Sequence, residues 1–316
     1  MTKKSERETP GHHGKNHGHK MVSKDYPTLV HHYDAISLKG QSRYLLLIRL
    51  ELILAVGAAA VSDAIHEIPA NGVRIGVYGL IALLVGGLGV QLLRLGKRED
   101  QSWFEGRAVA ESAKTLTWRF MMKVQPFHLE ANLEEDFMSR LRAVLHGCKV
   151  CDPVATTSVR EITQRMRDTR DFGWEKRRDF YVASRLNDQI KWYLGKARYN
   201  AGRSQLWLVL SIVAQIAAIV AAYYVLRSNG KMNFVPLVTT VAASCVAWSQ
   251  AKNFDELRES YRMANDELCQ IKDEQVLRAA TEAEFLEAVV NSEGAISREH
   301  TMWAARSGSP VVWKIA

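Results

Sequence analysis

The apolar residues of this chain are bunched, and that bunching limits its folds more than any other feature. Ile75 to Leu93, Leu206 to Leu226 and Phe234 to Trp248 contain no Asp, Glu, Lys or Arg. A further run, Leu50 to Val61, extends back through Tyr44-Leu45-Leu46-Leu47-Ile48 and is interrupted only by Arg49 and Glu51. A bilayer core about 30 Å thick needs roughly 20 apolar residues in a helix. The runs from Ile75 and from Leu206 meet this directly. The run around Leu50 meets it if Arg49 and Glu51 lie at the interface or are paired. The run from Phe234 is short. Burial in a soluble core is the rival explanation, and two charge-free runs of membrane length weigh against it.

The connections turn four runs into two pairs. Ser62 to Arg74 contains Pro69, Asn71 and Gly72, and Arg227 to Asn233 contains Asn229 and Gly230. Both are turn chemistry. The chain therefore reads as two transmembrane hairpins separated by a long polar middle. The N-terminus is polar and His-rich, so no cleavable leader is expected.

The net charge is +8, and its distribution matters more than its sum. Residues 1–43 carry +4, 44–95 balance, 96–204 carry +6, 205–248 carry +2 and 249–316 carry −4. No dense arginine patch marks a nucleic-acid interface. The two short links hold only Arg74, and Arg227 with Lys231. The positive-inside rule then puts the N-terminus, the middle and the C-terminus in the cytoplasm. Cytoplasmic flanks and anionic lipid account for the basic balance, and nucleic acid is not an expected partner.

Each hairpin is followed by a helical repeat. Trp103, Gly106, Ala110, Ala113, Thr117 and Phe120 follow a 3-4-3-4-3 spacing. Phe254, Leu257, Tyr261, Ala264, Leu268 and Ile271 repeat it 151 residues later, with Arg107 matched by Arg258. That period is a coiled-coil seam, and its recurrence after each hairpin indicates a duplicated unit. Val182, Leu186, Ile190, Tyr193 and Ala197 share a face leading into the run from Leu206. Leu129 to His146 reads as a short helix. Glu282 to Val290 and Ser297 to Arg306 read as two terminal helices separated by Gly294. No strand pattern occurs. The fold class is an all-α membrane protein, whose two hairpins (four spans) continue into a cytoplasmic helical, coiled-coil stalk.

Candidate chemistry is sparse. His146, Cys148 and Cys151 offer three soft ligands, but a zinc site needs a fourth, from Asp152, His128 or Cys269. Ordinary reduced loop thiols are the favoured reading, and neither metal nor cofactor is expected. His12, His13, His17 and His19 belong to a disordered tail. Gly86-Gly87-x-Gly89 and Ala214, Ala218 and Ala222 suit close helix packing. Arg49 and Glu51 are ionisable groups at or near membrane depth, which line a bundle interior or snorkel to the interface. Thr239, Thr240, Ser244 and Cys245 make the last run the most polar. Arg49, Glu51, Gln215, Thr240 and Ser244 are the candidate pore or gate positions. HExxH, GxSxG and phosphate-loop motifs are absent from the sequence, and an enzyme is not expected.

Arg107-Ala-Val-Ala-Glu111-Ser-Ala-Lys114-Thr-Leu-Thr-Trp118-Arg119-Phe120 resembles the post-hairpin signature of the SLATT proteins, the SMODS and SLOG-associating two-transmembrane effectors of bacterial conflict systems. Gln189-x-x-Trp192-Tyr193-x-x-Lys196-Ala-x-x-Asn200, leading to Trp207, resembles the entry to a second such unit. Ser297-Arg298-Glu299-His300-x-x-Trp303-x-x-Arg306 resembles its close. The resemblance covers residues 35–306 as two tandem units. It implies an inner-membrane effector that forms or gates a pore and depolarises the cell in anti-phage defence by abortive infection. A nucleotide second messenger, or a sensor protein in trans, would supply the signal. Four spans per chain are few for a channel, so a homo-oligomer is expected. The alternative is a non-conducting scaffold or receptor that docks partners through its cytoplasmic helices. The expected organisation is a tail (1–36), a first unit (37–123), a helical linker (124–172), a second unit (173–306) and a C-terminal tail (307–316).

Overall fold

The structure is a computed structural model and describes residues 20–65, 70–129, 132–146, 148, 161–227 and 234–306. Among the described residues there is no strand. The α-helices are α1 (Thr28–Ile65), α2 (Ala70–Lys97), α3 (Glu99–Met122), α4 (Leu133–His146), α5 (Gln164–Arg170), α6 (Trp174–Tyr181), α7 (Asn187–Arg227), α8 (Val235–Lys252), α9 (Phe254–Ile271) and α10 (Glu282–Arg306). Val182–Leu186 joins α6 to α7 as a π-helical turn, and Lys272–Val276 extends α9 as another.

Three helical runs are long and apolar enough to cross a membrane: Thr28–Ile65, Gly72–Met122 and Trp174–Arg227. Their most apolar windows are only 17%, 0% and 6% buried inside the protein. These helices turn their Leu, Ile and Val outward. Such a surface suits hydrocarbon and would be costly in water, so the soluble-core explanation fails. α8 is shorter, at 18 residues, and lies against α7 and α1. The apolar helices form an open row in the order α2, α1, α8, α7.

The two units share one plan. α2 passes into α3 through a single left-handed residue, Arg98 (φ 44°), and α3 runs on in the same direction, antiparallel to the first half of α1. α8 passes into α9 through Asn253 (φ 48°), and α9 runs on in the same direction, antiparallel to the first half of α7. Counted from these breaks the offset is 155 residues, one helical turn more than the seam alignment gives. In α9 the expected seam is the buried face: Phe254, Tyr261, Leu268 and Ile271 are buried. α3 differs. From Thr115 to Met122 every residue is buried, because α1, α4, α5 and α10 surround it. Its 3.5-residue spacing marks the central helix of a core.

The backbones of α1 and α3 approach each other closely at two glycines. A Cβ on Gly40 would lie 2.7 Å from the Trp103 nitrogen, and one on Gly106 would lie 3.0 Å from the Ser37 nitrogen. The Ser37 hydroxyl donates to the Trp103 carbonyl at 2.9 Å. In the apolar row, a Cβ on Gly86 would touch Leu54 at 3.8 Å, whereas Gly87 and Gly89 have nothing within 4 Å. Close packing within the chain therefore explains only Gly86 of that motif. Ala214 is buried and Ala222 is exposed.

The expected break at Gly294 does not occur, since α10 runs through it. An interior glycine costs a helix about 1 kcal/mol, and the buried neighbours Ser292, Glu293, Ala295 and Ile296 hold this turn in place.

Candidate functional site

The expected pore positions fall into three places. Arg49 of α1 and Ser244 of α8 line a cavity of about 690 Å³ between α1, α7, α8 and the start of α9. Glu51 turns to the other side of α1 and accepts a hydrogen bond from Arg94 of α2 at 2.8 Å. Gln215 lines a separate cavity of about 580 Å³ between α7 and α8, together with Thr239 and Gln250. The Thr240 hydroxyl donates back to the Pro236 carbonyl at 2.7 Å, as a helical threonine does when no other partner is offered. The five residues do not line one path within a single chain.

The 690 Å³ cavity has two ends of different chemistry. One end carries the cations Arg49, Arg203 and Lys252, each over an aromatic ring. Arg49 lies 5.0 Å from the centre of Trp248, Arg203 5.3 Å from Tyr199 and Lys252 5.8 Å from Phe254. The other end is walled by Leu52, Ile53, Val56 and Val241. Among the described residues no Asp or Glu lines it, and none of the three cations forms an ion pair. Trp207 and Trp248 face each other at 6.2 Å across α7 and α8. Arg203, Lys252 and Trp248 were not singled out in the sequence, although tryptophans at the ends of charge-free runs are a legible interfacial signal.

Below the apolar row lies a buried polar network. Arg185, in the first π-turn, is bidentate to Glu293 of α10, with Nε at 3.0 Å and an Nη at 2.8 Å. Their side chains are 2% and 0% exposed. The Tyr181 hydroxyl donates to the same carboxylate at 2.9 Å. Trp118 is fully buried against Phe180 and Tyr181, and its indole N–H donates to the Tyr26 hydroxyl at 3.1 Å. The two π-turns touch each other beside this network. A π-turn inserts one residue, which rotates Arg185 inward without breaking the helix. Arg185 and Glu293 are 108 residues apart and carried no sequence signal.

The C-terminus of α3 ends inside the protein, where its carbonyls need donors. Arg170 gives one to Phe120 at 2.6 Å and a second to Phe127, in the turn beyond the helix, at 2.9 Å, and Arg177 gives one to Met122 at 2.9 Å. These cations also face the negative end of the helix dipole. At the start of α1, Glu161 is buried and accepts from the Leu29 backbone, while its Oε2 finds no donor among the described residues. Burial pushes its carboxyl up to about 7, against the pull of that hydrogen bond.

The residues that carried the family resemblance meet across the units. Arg107 of α3 lies over Trp192 of α7 at 5.4 Å. Lys196 lies over the same ring at 5.6 Å, and Trp192 and Tyr193 pack on Tyr261. Gln189 is half-buried one turn before Tyr193. Lys114 pairs with Glu111 at 3.0 Å. Buried Asn200 donates to the Lys196 carbonyl at 2.7 Å. Arg298 pairs with Glu267. The side chains of Glu299 and Trp303 lie outside the described residues.

The expectation of reduced thiols is corrected at Cys148, which is disulfide-bonded. A sulfur held in a disulfide is not a thiolate ligand. The His146 side chain and Cys151 lie outside the described residues. Cys245 and Cys269 are free. Among the described residues no group of three His, Cys, Asp or Glu is placed to hold a metal.

Two family models match the chain in tandem. SMODS and SLOG-associating 2TM effector domain 3 matches residues 27–178, and SMODS and SLOG-associating 2TM effector domain 1 matches residues 181–303. The first runs from the start of α1 into α6, and the second from the first π-turn through most of α10. No curated protein and no solved structure matches the chain. The outward apolar helices, the repeated unit and the paired matches lead to one conclusion: the chain belongs to the SLATT family, as two tandem domains of a membrane effector of conflict systems.

Proposed function

We propose that the chain is a non-enzymatic effector of the bacterial inner membrane, with four spans and cytoplasmic termini, that assembles into an oligomeric pore and depolarises the membrane on a signal. The observation that carries this reading is continuity. α1 and α7 are single helices of 38 and 41 residues, whose first halves belong to the polar body and whose second halves are apolar. A shift of the body therefore moves both apolar segments without an intervening joint.

α8 is read as the fourth span because its ends are level with those of the apolar half of α1. Near one end Arg49 of α1 lies over Trp248 of α8, and at the other Asp63 of α1 accepts a hydrogen bond from the Leu237 backbone at 3.2 Å. Asp63 thereby serves a free N–H in the first turn of α8. The flanking cations orient the hairpins as the positive-inside rule requires. An oligomer is part of the reading because a row of four helices encloses no lumen. Several copies would be needed, and Gln215, Thr240 and Ser244 are the polar positions available to line a shared path. The signal, a nucleotide or a partner protein, would act on the body that contains the Arg185–Glu293 network.

Planar-bilayer conductance of the purified protein, with and without cyclic oligonucleotides, tests the proposal. Discrete openings that require a ligand are the expected result. Neutralising Arg49 and Glu51 without changing ion flux would remove them as gate positions. Silence from well-inserted oligomers would replace the pore with the scaffold reading, which the charge-free outer face of α2 from Ile75 to Leu93 favours.

A further inference from the structure

We propose that the 690 Å³ cavity between α1, α7 and α8 is a seat for one anionic phospholipid, its phosphate among Arg49, Arg203 and Lys252 and its acyl chain along Leu52, Ile53, Val56 and Val241. The inference rests on the membrane-spanning reading and adds a ligand to it.

Three cations converge on a shared space with no carboxylate on its wall among the described residues. Like charges brought together repel, and an anion seated among them offsets the cost. Each cation is already placed over an aromatic ring, which holds it in position without neutralising it. Phosphate is the anion such a cluster suits, and arginine binds it through two parallel hydrogen bonds. A soluble nucleotide carries the same phosphate, but the far end of this cavity distinguishes the two. That end is aliphatic, and Ile53 on its wall is 64% exposed, so the cavity opens onto the outward apolar face of the row. A ligand must therefore be ionic at one end and hydrocarbon at the other. The volume falls within the range of ordinary small-molecule sites, enough for a headgroup and the first part of a chain.

The location gives the ligand a consequence. α1 belongs to the first unit, and α7 and α8 belong to the second. The α1–α8 contact joins the two units within the apolar row. A lipid seated there touches both and stabilises the arrangement in which they meet, by the ratio of its affinities for that arrangement and any other.

The test uses the full chain in neutral detergent, titrated with dioctanoyl phosphatidylglycerol, dioctanoyl phosphatidylcholine, inorganic phosphate and AMP, and read by native mass spectrometry and thermal shift. One phosphatidylglycerol per chain is expected, preferred over phosphatidylcholine by roughly a hundredfold, at about fivefold per cation beside an anionic surface. Arg49→Gln with Arg203→Gln and Lys252→Gln should abolish the preference. Lys24→Gln with Lys191→Gln and Arg198→Gln removes the same charge elsewhere and should keep it. Ser244→Phe fills the cavity and leaves the cations in place, and it should also lose the bound lipid. The proposal is overturned if the cavity triple variant keeps the preference, or if phosphate or AMP binds as tightly as the lipid. Flotation with phosphatidylglycerol–phosphatidylcholine vesicles separates the two readings. A chain that floats but shows no preference loses only the lipid seat, and a chain that does not float loses the membrane reading itself.

Discussion

Single residues set the tightest constraints where backbones nearly touch or a charge is buried. Gly40 and Gly106 bring α1 and α3 into backbone contact, and a methyl group on either must displace main chain. Gly40→Ala or Gly106→Ala is expected to cost about 1–3 kcal/mol, the usual penalty of overpacking. Gly89→Ala, with nothing within 4 Å of the added carbon, should be neutral or slightly stabilising. Thermal unfolding of the three variants in one detergent checks the contrast. The sequence marked Gly106 through its seam, whereas Gly40 looked like any other position in a long helix. Glu161 gives a second prediction at this scale. Its carboxyl is raised from an ordinary 4.5 to about 7, so the folded protein holds a proton there that the unfolded chain releases. The stability this confers is complete below about 4.5 and is lost as pH rises through about 7. Glu161→Gln should flatten that part of the profile and raise the melting temperature at pH 8 by a few degrees. An unchanged profile would show that the carboxyl is not the titrating group.

At the scale of elements, the helices were legible because apolar spacing and charge-free length are local properties. The π-turns were legible only in retrospect. The apolar seam of α9 steps by three and four as far as Ile271 and then by five to the buried Val276, which is the period of a π-turn. The Arg185–Glu293 pair that the first π-turn aims was not legible, since nothing local ties two residues 108 positions apart. That pair also supplies the element-scale prediction. Removing one partner leaves a buried charge without its counterion, at about 3–5 kcal/mol. Arg185→Met and Glu293→Leu should each be that damaging. The double variant should recover most of the loss, because an apolar pair of similar volume carries no desolvation penalty. Denaturant unfolding in a double-mutant cycle measures the difference. A double variant as unstable as the sum of the singles would mean that Tyr181, which donates to the same carboxylate, cannot do without its acceptor.

At the scale of the whole molecule, duplication predicts two independent hairpins, and the packing contradicts that independence. The first unit gives α3 to the centre of the body, and the second gives α10 to cover it. Trp118 of α3 is closed over by Phe180 and Tyr181, and Arg107 lies on Trp192. Arg177, at the junction, caps α3 and pairs with Glu282 at the start of α10. Sequence periodicity finds the copies but cannot find the surface they share, because that surface comes from residues whose spacing fits either a self-contained unit or a joint core. A chain cut between Phe172 and Gly173, in the turn before α6, should therefore not yield two working halves. Expressed together, the halves should co-purify as a stoichiometric complex held by the α3–α10 and α1–α8 contacts. Expressed alone, each should aggregate or be degraded, since it would expose the aromatic core around Trp118 or the apolar side of α10. Halves that are monomeric and stable alone would show that the joint core is dispensable, and that the two domains pass a signal only through the membrane.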